Sequence, residues 1–159
     1  MFAGLRDALV SYIRSQAIVG GLCEGIVSVK PGPINPLNVD DAEMPCVTVS
    51  FAGGDIETPD NQRLETNHSI MLVELYTTSL DDVGAAEAQA LRLFWSDNCQ
   101  KGLLLALAEN QGYDADNNPN GPGAIFRLSK FHVGYRQSGA GYTYMIQIPL
   151  TVKTMQAFV

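Results

Sequence analysis

Tyr142-Thr-Tyr-Met-Ile-Gln-Ile-Pro-Leu-Thr-Val-Lys153 is the stretch on which the fold turns. Tyr142, Tyr144, Ile146, Ile148, Leu150 and Val152 fall on one face, with Thr143, Gln147, Thr151 and Lys153 opposite. An uninterrupted period of two is the pattern of a strand with one face in a core. Residues 124–137 predict its partner, joined to it across Ser138-Gly-Ala-Gly141. Pro149 has no N–H to give a ladder, which predicts an exposed edge on this last strand, available to a neighbouring chain.

Upstream, residues 63–76 predict another long strand. Its second half, Ile70-Met-Leu-Val73, is apolar on both faces, as a central strand buried on two sides must be. Pro45-Cys-Val-Thr-Val-Ser-Phe51 alternates again, with Val47, Val49 and Phe51 on one face. Between these two lies a polar excursion, residues 52–62, whose Gly53, Gly54 and Pro59 predict a loop or hairpin tip carrying Asp55, Glu57 and Asp60. A short strand is expected near residues 25–30, before the turn-rich Pro31-Gly-Pro-Ile-Asn-Pro36.

Helical spacing opens the chain. Leu5, Leu9, Tyr12 and Ile13 recur at i, i+4, i+7 and i+8, and Gly20-Gly21 ends the run. Ser79-Leu-Asp-Asp82 predicts a second helix, with Ser79 as cap and Asp82 at the third position. Its stripe is Val83, Ala86, Ala90 and Phe94, widened by Leu91, Leu93 and Trp95. A further helical piece follows Asn98 through Leu103, Leu104 and Leu107 to about Gly112. The order α-β-β-β-α-(α)-β-β predicts an α+β fold, a mostly antiparallel sheet packed against helices. At 159 residues it fits one domain, 1–159.

Composition narrows the function classes. With 46 % hydrophobic and 17 % charged residues the chain reads as globular. No apolar run reaches the length of a membrane span, so no membrane partner is expected, and the opening residues lack the pattern of a signal peptide. Cys23, Cys46 and Cys99 are odd in number and widely spaced, which predicts buried free thiols in a reducing compartment. A net charge of −7 argues against a general nucleic-acid binder. That charge is unevenly laid out. All 17 acids lie at or before Asp116, whereas the last 43 residues carry only Arg127, Lys130, Arg136 and Lys153. The asymmetry predicts head-to-tail contact between copies, those bases facing acidic loops such as Asp40, Asp41 and Glu43. Strands are also poor in acids for reasons of their own, which accounts for part of it.

No constellation points to a reaction, a metal or a cofactor. Asp114-Ala-Asp-Asn-Asn118 begins like a calcium loop, but its sixth position is Pro119 and its twelfth Ile125, which leaves an Asx-rich turn. His68 and His132 read as strand histidines, with no cysteine at zinc spacing. There is no G-x-S-x-G and no lysine-bearing phosphate loop. Asp40-Asp41 falls in a loop and Asp81-Asp82 in a helix's first turn, where structure explains it. Phe126, Phe131, Tyr135, Tyr142 and Tyr144 interleave with bases, as in a platform for single-stranded nucleic acid. The acidic total favours cross-strand aromatic pairs in a hairpin instead.

The order of elements, over nearly the whole chain, resembles tail terminator and tail-completion proteins of long-tailed bacteriophages. The opening helix at Leu5–Ile13, the strand 45–51, the polar excursion and the strand 63–76 carry it. The helical region 81–110 and the closing pair 125–135 and 142–150 complete it. The resemblance implies a non-enzymatic virion component made in the host cytoplasm. It forms a homo-oligomeric ring, commonly of six copies, that caps the tail tube and faces the neck. Implied partners are the major tail tube protein and a neck or head-completion protein, with DNA only passing through the lumen. Asp55, Glu57 and Asp60 are then expected on a docking loop or the lumen. The Pro-rich 31–36 connection and the Asx-rich loop before the closing strands depart from the family pattern. A head-completion or neck adaptor is the alternative within the virion. A cytoplasmic small-molecule-binding α+β domain is the alternative outside it.

Overall fold

The closing strand lies inside the sheet, not at its edge. A computed structural model describes residues 2–35, 38–57, 65–96, 100–109, 125–138 and 141–153. Among them are three α-helices: α1 (Phe2–Gln16), α2 (Val83–Phe94) and α3 (Leu103–Glu109). The strands are β1 (Ser28–Pro31), β2 (Cys46–Glu57), β3 (Glu65–Ser79), β4 (Ile125–Leu128), β5 (His132–Ser138) and β6 (Gly141–Lys153). They form one sheet in the order β1-β2-β3-β6-β4, with β5 also pairing β6. Every pairing is antiparallel except β1 with β2. The fold is α+β.

Pro149 is accommodated in an unexpected way. β6 has β3 on one side and both β4 and β5 on the other. β4 ends opposite Leu150 and β5 starts opposite Gln147, so the outer ladder is interrupted at Ile148 and Pro149. A residue without an N–H tolerates a gap in the neighbouring strand as well as an open edge. The single strand expected over 124–137 is therefore two, parted at Ser129, Lys130 and Phe131.

The polar excursion is also shorter than its composition suggests. β2 continues through Glu57 against β3, past register shifts between Phe51 and Gly53 and between Asp55 and Ile56. Gly53 sits at φ +135°, which a bulge uses to keep a strand running. Asp55 and Glu57 thus lie in a paired hairpin. Asp60 lies outside the described residues, as do Cys99 and the Asp114–Asn118 stretch.

One sheet face carries the core. Val47, Leu75 and Ile146 lie opposite one another, as do Val49, Val73 and Ile148, and all six are at most 1 % exposed. Helix α1 covers β1 and β2 with Leu5, Leu9, Val10 and Ile13, while α2 covers β3 and β6. Ala86 and Ala90 let α2 lie close to the sheet, near enough for buried Thr77 Oγ1 to donate to the Ala86 carbonyl at 2.7 Å. The cap of α2 is Asp82, whose Oδ1 accepts from the Ala85 amide at 2.7 Å. Ser79 cannot be that cap because β3 runs through it; its Oγ accepts from the Asp81 amide instead. No helix among the described residues is long and apolar enough to cross a membrane.

The opposite face is more polar. Ile34, Val39 and Met44 fold over part of it and pack with Cys46, Tyr76 and Met145. Lys30, Thr48, Glu74, Gln147 and His132 form a cross-strand row. Glu74 Oε2 accepts from the Tyr76 hydroxyl at 3.1 Å and from Gln147 Nε2 at 3.4 Å. Burial, then the Glu74 charge, raises the Tyr76 pKa and keeps its proton in place as the donor. Thr48 Oγ1 is buried with no hydrogen-bond partner. Such a hydroxyl retains its desolvation penalty without return, so Thr48→Val is expected to leave stability unchanged or raise it by up to about 1 kcal/mol. Urea unfolding checks this; a clear loss of stability would show that the hydroxyl is bonded in solution.

Cys23 and Cys46 are buried free thiols, as expected. Burial pushes the Cys23 thiol up to about 12 and raises that of Cys46, so neither is a nucleophile near neutrality.

Candidate assembly surfaces

The bases of the C-terminal third gather on one sheet edge. Arg127 lies on β4, Lys130 in the break and Arg136 on β5, and all three are exposed. Among the described residues none of the three forms an ion pair. Lys153 is one strand further in, on β6 opposite Ile125, so it does not belong to the edge. The same edge exposes large apolar groups: Phe131 (49 %), Val133 (53 %) and Tyr135 (69 %). Phe131 stacks obliquely on Phe94 at the end of α2, with ring centroids 4.9 Å apart. Tyr135 stands opposite Tyr144, a cross-strand aromatic pair of the kind expected. His132 is exposed on this edge.

The acidic turn occupies the other edge. A single 3-10 turn, Asp41–Glu43, immediately precedes β2. Asp40 caps it by accepting from the Ala42 amide at 3.2 Å, and both Asp40 and Asp41 are exposed. Glu43 is not available in the same way. Its carboxylate pairs with Lys30 Nζ, and its carbonyl accepts from Ser28 Oγ at 2.7 Å. The bond to Glu43 raises the Lys30 pKa. Glu43 therefore ties β1 to the turn and leaves Asp40 and Asp41 facing solvent.

Arg14 was not singled out in the sequence, where it is one more polar residue on a helix face. Ser28 donates to the Pro45 carbonyl and Gly32 to the Val49 carbonyl, so the alternation turns Val29's backbone outward. Its carbonyl accepts from Arg14 Nε at 3.0 Å and Nη2 at 2.7 Å. A side chain from α1 thus closes the outer edge of β1. Only the tertiary pairing of helix and strand could reveal this.

Two open recesses lie among the described residues. One of about 270 Å³ opens beside Arg136, lined by Tyr76, Gly134, Tyr135, Thr143 and Met145. Another, of about 150 Å³, lies between α2 and α3 and is lined by Trp95, Lys101, Leu104, Leu105 and Ala108. Among the described residues no three His, Cys, Asp or Glu side chains converge as a metal set.

The basic edge and the acidic turn thus stand at opposite ends of one sheet, too far apart in strand order to meet within a single copy.

No family model and no curated protein matches the sequence. Among solved structures, the chain is similar to one in a particle described as "Virion of native gene transfer agent (GTA) particle". That similarity covers 96 % of this chain and 95 % of the other, at 15 % identity and a TM-score of 0.44. At that level it identifies neither a family nor a function.

Proposed function

We propose that the chain is a structural component of a phage-type virion, assembling into a ring at the head-proximal end of the tail. There it ends the tail tube and joins it to the neck. The observation that carries the self-assembly is the separation of charge across the sheet: exposed bases along β4 and β5, exposed Asp40 and Asp41 beside β1. Complementary surfaces on opposite sides of one molecule make a heterologous contact, which closes into a ring when the rotation allows. The order of elements supports the place in the virion. The acidic excess supports a passage through which DNA slides, since like charge repels phosphate.

Native mass measured against protein concentration, at low and high salt, tests the assembly. A discrete oligomer that loosens as salt rises is expected, because added salt weakens solvent-exposed charge pairs. A monomer at every concentration and salt would remove spontaneous ring formation.

A further inference from the structure

We infer that the recess beside Arg136, on the polar face of the sheet, is a binding site for a carboxylate carried on an apolar stem. The recess is formed within one copy, so this goes beyond the ring reading and does not depend on it.

Strand pairing lays out the site. Tyr76 stands opposite Met145, and Met145 opposite Gly134. Two residues along, Thr78 stands opposite Thr143, and Thr143 opposite Arg136. Residues two apart in a strand share a face, so both rows lie on the face that carries Cys46, the partner of Tyr76. There Ile34, Val39 and Met44 pack with Cys46, Tyr76 and Met145. The apolar row Cys46, Tyr76, Met145 ends at Gly134, which has no side chain to continue it. The recess of about 270 Å³ opens beside that glycine.

Nothing in the fold itself asks for glycine at this position. The ladder is regular, with His132 to Ser138 pairing one for one with Gln147 to Gly141 and no bulge between them. Gly134 is not among the glycines with positive φ. A Cβ on it would meet only Met145 Cε, at 3.8 Å, an ordinary contact. Glycine weakens a strand, and in one without bulge or bend it marks a place where a ligand approaches closely.

The lining chooses the ligand's chemistry. Arg136 and Thr143 are facing partners at one end of the recess. Among the described residues the Arg136 guanidinium has no ion pair or hydrogen bond. Thr143 is only 7 % exposed, and among the described residues its hydroxyl has no hydrogen-bond partner. A free guanidinium beside a free hydroxyl suits an anion. Glu74, on the same face, is already engaged by the Tyr76 hydroxyl and by Gln147. Tyr76 and Met145 supply the apolar wall. One guanidinium balances one negative charge, whereas a phosphate dianion would stay half uncompensated in a chain of net charge −7. A monocarboxylate fits both conditions. Two sources carry it: a free small acid, or Asp41 with exposed Ala42 beside it in the turn of a second copy.

Sodium hexanoate tests the site, titrated into the full chain and followed by saturation-transfer NMR on its own protons. The parent and an Asp40→Asn/Asp41→Asn variant are run side by side. Saturable binding with a dissociation constant of about 1 mM is expected, in the range a ligand of about eight heavy atoms reaches. Equal binding to both proteins assigns the site to a free acid. Binding to the variant alone assigns it to the neighbour's turn, which then fills the parent's recess. Arg136→Gln should weaken binding about tenfold, and hexan-1-ol should bind more weakly by a similar factor. Gly134→Leu fills the recess and should abolish binding in both backgrounds, with the urea midpoint unchanged or higher. No saturable binding in either background, binding that survives Gly134→Leu, or hexan-1-ol binding as tightly as hexanoate overturns the site. None of these results touches the ring reading, which stands or falls on native mass.

Discussion

Gly102→Ala is expected to lower stability by about 2–5 kcal/mol, combining a backbone conformation that L residues rarely adopt with an overpacked junction. Gly102 has φ +125°. A Cβ there would stand 2.5 Å from the Phe94 carbonyl oxygen and 3.0 Å from the Trp95 Cα, both rigid backbone at the end of α2. The Gly102 amide meanwhile donates to the Leu22 carbonyl at 2.8 Å. The residue is thus held between the end of α2 and the loop after α1, and the fully buried Leu103 and Leu107 of α3 follow it directly. Any relief of the clash must shift one of those elements. Against a total stability of about 5–15 kcal/mol for a domain, the loss is severe. Urea unfolding measures it, with Gly4→Ala as the contrast. Gly4 lies in α1 with nothing near its missing Cβ, so that change is expected to add about 0.5–1 kcal/mol. A Gly102→Ala midpoint equal to the parent's would show that the α2–α3 junction is not packed as described.

Replacing Arg127 and Arg136 together with glutamate is expected to weaken each joint between copies by about 1–4 kcal/mol, roughly fivefold to a thousandfold in its dissociation constant. The figure takes about 0.2–1 kcal/mol for each exposed pair lost, with like-charge repulsion of similar size added at both positions. A closed ring amplifies the effect, since every copy takes part in two joints. Both arginines are exposed and outside the core, so folding should be unaffected. Sedimentation at fixed concentration reads the change as a shift from oligomer to monomer. Restoration by adding Asp40→Lys and Asp41→Lys, but not by adding Asp7→Lys and Asp81→Lys, which return the same net charge, separates complementary surfaces from a general change in net charge. Unchanged assembly of the double variant would remove the electrostatic argument altogether.

Several elements were legible because their causes are local. The spacing of Leu5, Leu9 and Ile13 makes α1, and β3 is a middle strand between β2 and β6, although of its apolar run only Met71 and Val73 are buried while Ile70 is 43 % exposed. The concentration of bases after Asp116 was legible too, being a property of composition alone. The misreadings share a cause of their own. Gly53 and Pro149 are both residues that can end a strand, and both are used here to modify one: a bulge carries β2 on to Glu57, and a break in the neighbouring strand spares Pro149. Ser79 lost its role as cap because β3 claimed it first. Glu43 looked like a free surface acid until Lys30, an adjacent-strand neighbour with no local relation to it, took its carboxylate.

The sequence by itself thus determined the α+β class, most of the core-facing stripes and the excess of bases near the C-terminal end, since each follows from periodicity or composition. Phe51, Leu91 and Trp95, which periodicity also put on those stripes, are exposed because among the described residues no element packs over the ends where they stand. Only the tertiary structure decided which strands became edges, which charges were consumed inside the molecule and that Arg127, Lys130 and Arg136 lie at the end of the sheet opposite Asp40 and Asp41. Those outcomes depend on which segments pair across long stretches of chain. A strand pattern fixes a face but says nothing about the neighbour on either side.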